Sequence, residues 1–493
     1  MQQGRFTRVF KTASFAMFGV LLACGARSPL LPGEQSAGGG AGGSTTTGGK
    51  GGSVAKDAGG PDGASGQGGV AGTGGAAGSG GVAGQAGNMC PGLWLKGGPT
   101  EVKGDAWAKA THPMLMSASD DDTLIALAME GYPIESPGPV AARLQLLAFH
   151  PWVETWPPYD LGAAKQASTT TGIGQTVFAR GFADGVLAMA WPTSSSPPNP
   201  QPYGVFFVPD LSPYSGNWST SAVEVVSEVS LSQLSAFAVR APDQHMIGYF
   251  LTTDAGGVLR SSRVKPGSII EDPTLLACGS GTLSASAQWN GQAIMLAASS
   301  SRTPLGCTMD SGLGVLPQHL TVTSISLDGS TVQVLHDSVM AGDAVAFVDL
   351  QLHDSGAWVV YQYMGLSAEV QPPVMVMRLD ASGGVKAGPL PVVEGYLMFG
   401  EIAVARMGNR LAIAWFEPAT QGLGPRIQIR VLNEDGSVAA PYTIAGGDGH
   451  PNGRLSLISS KEGDKLLVAW SVEPMGGGML DITWLARLDC GLP

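Results

Sequence analysis

The stretch Glu401-Ile402-Ala403-Val404-Ala405-Arg406, Met407-Gly408-Asn409-Arg410, Leu411-Ala412-Ile413-Ala414-Trp415 decides the fold. Its first part alternates, Ile402 and Val404 against Ala403 and Ala405, and its last part is an unbroken apolar run. Alternation at period two marks a half-buried strand, and a short apolar run bounded by turn residues marks a strand buried on both faces. Gly and Asn tolerate the positive φ angles of tight turns, so the whole stretch reads as a β-hairpin.

Working outward, the same pattern occurs seven times. Clear copies turn at Gly463-Asp464 before Leu466-Leu467-Val468-Ala469-Trp470 and at Asp184-Gly185 before Leu187-Ala188-Met189-Ala190-Trp191. Weaker ones turn at Asp121-Asp122, Asp243-Gln244, Asn290-Gly291 and Ser355-Gly356. The spacing averages about 57 residues, near the roughly 40–50 of known propeller blades with long loops added. Third strands follow most hairpins: Leu144–Leu147, Val205–Val208, Leu320–Thr323, Val374–Met377 and Ile427–Arg430. Several reach an Asp/Gly turn, at Asp328-Gly329, Asp380 to Gly383 and Asp435-Gly436, before a fourth strand such as Thr331–Val334. Four antiparallel strands repeated around a ring describe an all-β fold, a β-propeller of seven four-stranded blades over residues 90–493, with an open array of β-sandwiches as the rival.

The last copy stops early. Its third strand, from Asp481 to Ala486, leads to Cys490 with three residues left, and the strand-like Leu93-Trp94-Leu95-Lys96 is free to supply the fourth. An N-terminal strand joining the last blade closes the ring. Of the three pairings open to Cys90, Cys278, Cys307 and Cys490, this topology selects Cys90–Cys490 and leaves Cys278–Cys307.

The N-terminus is of another kind. Arg5, Arg8 and Lys11 precede the apolar run Phe15–Ala23, too short to span a membrane, and the run ends Leu21-Leu22-Ala23-Cys24. This segment resembles the lipobox signal of bacterial lipoproteins. The resemblance implies a signal peptide over 1–23, lipidation of Cys24 and, because Gly25 rather than Asp follows, sorting to the outer membrane. Residues 24–89 are then a lipidated tether rich in Gly, Ala and Ser, whose flexible coil spans roughly 45 Å. Apparent GxGxxG matches in it have no strand before them or helix after.

Charged residues make up only 13% of the chain and the net charge is −12, which excludes electrostatic capture of nucleic acid or of an anionic membrane. Contact with membrane is expected through the lipid alone, and the chain is expected to be a monomer with an outside partner, protein or glycan. The sequence asks for no cofactor or metal: HExxH, CxxC and EF-hand patterns do not occur, nor does GxSxG in the folded part. The triplet Asp120-Asp121-Asp122 falls on a hairpin turn and reads as a solvated turn rather than a calcium site. Trp191, Trp415 and Trp470 end second strands and read as packing between blades rather than as sugar-stacking platforms. Sialidase boxes are not completed by Ser326-Leu327-Asp328-Gly329, and WD and kelch signatures do not occur.

Long loops rich in Pro, Glu and Gly share one face. His112-Pro113 and His450-Pro451 precede the first strands of adjacent copies, with Asp448 beside one of them, and mark a candidate ligand site at the channel mouth. Asp343 and Glu401, at or before innermost strands, are the candidate carboxylates. Two functions follow: a noncatalytic binding or scaffold module on the cell surface, or a carbohydrate-active hydrolase or lyase acting at the channel mouth. Convergent carboxylates with shifted pKa values would mark the second.

Overall fold

The computed structural model describes residues 90–491 outside 91, 104–107, 120, 134–142, 163, 170–178, 184–185, 193–200, 210–220, 228–234, 241–245, 254–258, 266–267, 278–283, 301–317, 327–329, 341–344, 364–372, 394–401, 418–425, 446–449, 452–454 and 474–481. Two short strands come first, β1 Leu93–Leu95 and β2 Thr100–Val102. Six antiparallel four-stranded sheets follow in chain order. Sheet 1 holds β3 Ala108–Ser117, β4 Ile125–Pro133, β5 Arg143–Phe149 and β6 Lys165–Thr169. Sheet 2 holds β7 Ala179–Ala183, β8 Val186–Pro192, β9 Gln201–Pro209 and β10 Ser221–Ser227. Sheet 3 holds β11 Ser235–Arg240, β12 Met246–Thr253, β13 Leu259–Lys265 and β14 Ser268–Ala277. Sheet 4 holds β15 Ser284–Trp289, β16 Ile294–Ser300, β17 His319–Ile325 and β18 Val332–Val339. Sheet 5 holds β19 Val345–His353, β20 Gly356–Tyr363, β21 Val374–Asp380 and β22 Val385–Val393. Sheet 6 holds β23 Ile402–Met407, β24 Arg410–Glu417, β25 Arg426–Leu432 and β26 Tyr442–Ala445.

The last sheet joins both ends of this region. β27 His450–Pro451 and β28 Ser456–Ser459 both pair with β29 Lys465–Glu473, which pairs with β30 Ile482–Cys490. β1 and β2 pair with the far edge of β30, in the registers Leu93↔Cys490 and Thr100↔Leu485. The N-terminal strand expected to join the last sheet is therefore present as two pieces. Between them Gly97 takes φ +73°, a conformation that suits glycine. The first strands lie against one another in succession: β3 on β7, β7 on β11, β11 on β15, β15 on β19, β19 on β23, β23 on β28 and β28 on β3.

The apolar second strands explain the packing. In β24, Leu411, Ile413 and Trp415 enter a core shared with sheet 5, while Ala412, Ala414 and Phe416 enter one shared with the last sheet. In β29, Leu466, Val468, Trp470 and Val472 face sheet 6, and Leu467 and Ala469 face sheet 1. Because side chains alternate along a strand, a continuous apolar run buries both faces of its sheet. Each Leu, Ile or Val buried in this way stabilises by about 1.5–3 kcal/mol. Trp415 and Trp470 are buried between sheets, as their repeat position implied; Trp358 joins them, and the side chain of Trp191 lies outside the described residues.

Turn chemistry sets the register. Met407 opposes Arg410 across Gly408-Asn409, and Gly408 takes φ +62° at the first central position, where a type II′ hairpin requires glycine. In the β3–β4 turn, Asp122 takes φ +56°, a region Asp tolerates better than most residues. The turns expected at Asp184-Gly185, Asp243-Gln244 and Asp328-Gly329 lie outside the described residues.

Candidate functional site

Among the described residues, an extended polar and aromatic arrangement lies where sheet 1 meets the last sheet. β5 ends at Phe149, and the connection to β6 runs through His150-Pro151-Trp152-Val153-Glu154-Thr155-Trp156-Pro157-Pro158-Tyr159-Asp160. Asp160 Oδ2 accepts from both the amide and Nδ1 of His150, at 3.1 and 2.7 Å, and so closes the loop on itself. A carboxylate only accepts, so Nδ1 carries a proton. Trp152 Nε1 donates to Asp122 O at 2.7 Å, and Trp156 Nε1 to Gly98 O at 2.9 Å, while both rings pack on the core between sheet 1 and the last sheet. Arg487, buried on β30, donates through Nη1 to Pro151 O at 3.0 Å and to Val153 O, and grips Asp489 through Nε and Nη2 at 2.7 and 2.9 Å. With its base pinned in this way, the loop holds Tyr159 out at 76% exposure. Glu154, Thr155 and Pro157 are exposed beside it.

The neighbouring covalent link is Cys90–Cys490, with Cα atoms 5.4 Å apart. Arg410, buried at the start of β24, points at it: Nη1 lies 3.3 Å from Cys490 Sγ, Nη2 donates to Gly463 O at 2.6 Å and Nε to Met407 O at 3.4 Å. Burial lowers the Arg410 pKa, and the nearby Asp464 opposes that shift.

A second polar cluster stitches sheet 5 to sheet 6. Arg378 pairs with Glu434 Oε1 at 2.6 Å, donates to Ser355 Oγ at 3.1 Å and lies over the Trp358 ring at 5.7 Å. Trp358 Nε1 donates to Asn409 O at 3.1 Å. His353 Nδ1 accepts the Ser355 amide at 3.3 Å and sits 3.2 Å from Ser355 Oγ. Burial, with the charges of Arg378 and Arg406, lowers the His353 pKa to about 4. It is therefore neutral at pH 7, with its proton on Nε2. A serine nucleophile needs a histidine whose other nitrogen donates to an orienting acid. His353 Nε2 is buried with no such acceptor among the described residues, so the pair is a packing feature.

The first strands also carry polar links. Ser286 Oγ and Gln351 Nε2 donate to Asp349 Oδ1 at 3.0 and 3.3 Å, and Gln288 Oε1 accepts Leu352 N at 3.0 Å. Leu115 N donates to Ser456 Oγ at 2.9 Å, joining β3 to β28.

The residues singled out in the sequence fare unequally. Cys90 and Cys490 are joined. Cys24, Cys278, Cys307, Asp343, Glu401 and Asp448 lie outside the described residues. His112 and His450 stand in strands rather than in loops before them: His112 falls at a register shift in β3 between Thr111 and Met114, and His450 opposes Glu473. Of the acidic triplet, Asp120 lies outside the described residues, and the carboxylates of Asp121 and Asp122 serve their own turn. Hydrogen bonds from Ser119 and Thr123 hold Asp121 at about 2. Asp122, raised by burial, accepts from Ser117 Oγ. The 150–160 loop and the buried Arg410 and Arg487 went unread. A third His-Pro pair, with two Trp and a Tyr close behind it, was the available signal for the loop. Among the described residues, no group of three or more His, Cys, Asp or Glu is placed to hold a metal, and no helix is long and apolar enough to cross a membrane.

No protein-family model and no curated protein matches the sequence. Among solved structures, the chain is similar to a protein of unknown function from Dyadobacter fermentans at 14% identity, covering 81% of this chain and 100% of that one with a TM-score of 0.42. It is similar to a polysaccharide lyase, an ulvan lyase, at 10% identity, 78% and 95% coverage and a TM-score of 0.47. It is also similar to the β-propeller domain of the Trilobed protease from Pyrococcus furiosus at 10% identity, 77% and 95% coverage and a TM-score of 0.40.

Proposed function

We propose that the chain is a lipid-anchored bacterial surface protein whose residues 90–493 form a seven-bladed β-propeller that binds an outside partner without chemistry. Support for the ring comes from the succession of first-strand contacts, which returns from β28 to β3, and from the pairing of β1 and β2 with β30. An open sandwich array has no reason to bring its last sheet against its first. The lipobox-like Leu21-Leu22-Ala23-Cys24 supports anchoring in the outer membrane by Cys24 and a 24–89 tether. Loss of acyl labelling in Cys24→Ala tests the anchor, and an unacylated wild-type chain overturns it.

The observation that carries the binding role is the pinned 150–160 loop, which presents Tyr159, Glu154 and Thr155 from a base fixed by Arg487, Trp152 and Trp156. Rigid aromatic and polar groups on a scaffold bind with little ordering cost. The second reading, a glycan hydrolase or lyase, draws on Asp349, whose carboxylate gathers Ser286 and Gln351 on the innermost strands. Affinity electrophoresis of the purified chain through a panel of polysaccharides separates the two. Retardation without product, weakened about tenfold or more by Tyr159→Ala, supports the binding module. New reducing ends or unsaturated sugars, abolished by Asp349→Asn, support the enzyme.

A further inference from the structure

We infer that Cys90–Cys490 is a thiol–disulfide exchange site in which Arg410 holds the Cys490 sulfur as a thiolate once the bond opens. The inference goes beyond the binding role and stands whether or not the sheets close into a ring. A stabilising disulfide needs only apolar or neutral surroundings. This one instead has a buried guanidinium whose Nη1 lies 3.3 Å from Cys490 Sγ and whose other donors go to the carbonyls of Gly463 and Met407. Among the described residues no carboxylate lies within ion-pair distance of Arg410. The nearest acid in effect, Asp464, is taken by Ser460 Oγ at 2.8 Å and Lys465 Nζ at 3.2 Å. The other charges on the elements packed here are Arg487 and Asp489, which pair with each other on β30, Lys96, which lies over Trp94, Arg406 on β23, which pairs with Asp354, and Lys461 and Glu462 in the turn that carries Gly463. Arg410 is thus the cation that meets the sulfur. A guanidinium beside a cysteine favours the thiolate, and a disulfide whose reduced form is stabilised is more easily reduced.

The reductant is a dithiol. Its two sulfurs lose two electrons and join as a disulfide, and the Cys90–Cys490 bond takes up those electrons. Cys90 leaves as a thiol with one of the dithiol's protons, Cys490 leaves as a thiolate against Arg410, and the second proton goes to solvent. The opened link leaves β1, three residues long, held by its ladder with β30, by the Leu95 amide on the Tyr442 hydroxyl at 3.2 Å and by the packing of Leu93 and Leu95. The 150–160 loop follows, because Trp156 leans on Gly97 and donates to Gly98 O between β1 and β2.

The test uses the full chain. In Cys90→Ser, alkylation of Cys490 by iodoacetamide is followed across about pH 5 to 10 by mass spectrometry of its peptide. The expected midpoint lies at least one unit below the ordinary thiol value of about 8.5. In the chain with both cysteines, equilibration against dithiothreitol is expected to show Arg410→Gln at least tenfold less reducible, about 30 mV, with Arg410→Lys between the two. A Cys490 midpoint at or above 8.5 with Arg410 in place overturns the inference whether or not the Arg410 variants fold. Equal equilibrium constants for the Arg, Lys and Gln chains also overturn it.

Discussion

A Cβ on Gly463 would stand 2.2 Å from the amide nitrogen of Gly408. The turn of the last hairpin therefore sits directly on the turn of the one before it, and Gly463, at φ +69°, also occupies left-handed backbone. Gly463→Ala combines a left-handed alanine, about 1–2 kcal/mol, with displacement of a neighbouring backbone. The expected loss is at least about 2 kcal/mol in urea unfolding. Gly291→Ala, at φ +94° with nothing within 4 Å, should cost only the conformational part. Equal losses at the two positions would show that the turn-on-turn contact is not the cause.

Trp470 is fully buried between sheet 6 and the last sheet. Trp470→Ala should lower stability by about 3–5 kcal/mol, as a large cavity at an inter-sheet core does. Tyr159→Ala, at an exposed position beside Asp160 in the 150–160 loop, should cost less than about 1 kcal/mol. Thermal unfolding of both variants checks the contrast, and a mild Trp470 variant would mean that the two sheets repack freely.

The contrast between these positions also explains what the sequence allowed. Apolar runs such as Leu466–Trp470 are legible because burial of both faces forces a continuous pattern, and Gly408-Asn409 is legible because few residues make that turn. The pairing of Cys90 with Cys490 followed from counting strands. Arg410 and Arg487 were not legible. A buried arginine depends on carbonyls such as Gly463 O and Pro151 O, which carry no residue identity and converge only after distant strands have paired. His112-Pro113 reads as preceding the first strand, yet β3 absorbs the pair at a register shift, where a bulge tolerates proline.

His353 supplies a pH dependence. Its folded pKa of about 4 lies below the model-peptide 6.5, chiefly through burial. The unfolded chain therefore binds the proton first, and the stability present above pH 6.5 is lost as pH falls from 6.5 towards 4. The loss is of order 3 kcal/mol over that window. Urea midpoints at pH 7, 5.5 and 4.5 should fall for the wild type, and the slope should flatten in His353→Gln. An unchanged slope in that variant would assign the dependence to other groups.

Arg487 joins the last strand to the aromatic loop of sheet 1, and its side chain is 3% exposed. Arg487→Met leaves the Asp489 carboxylate and the carbonyls of Pro151 and Val153 without their donor, so the expected loss is about 3 kcal/mol or more. The local effect discriminates better than the total. Amide hydrogen exchange should quicken at Trp152, Trp156 and Asp160 and along β1 and β2, because the same guanidinium holds the loop against β30. Exchange at Val404 and Ile413, in the core between sheets 5 and 6, should keep its wild-type rate. Arg487→Lys keeps the charge but not the fork that reaches two carbonyls and a carboxylate at once, so it should fall between the two. Quickened exchange spread evenly over all the sheets would mean that Arg487 supports general stability and does not specifically hold the loop.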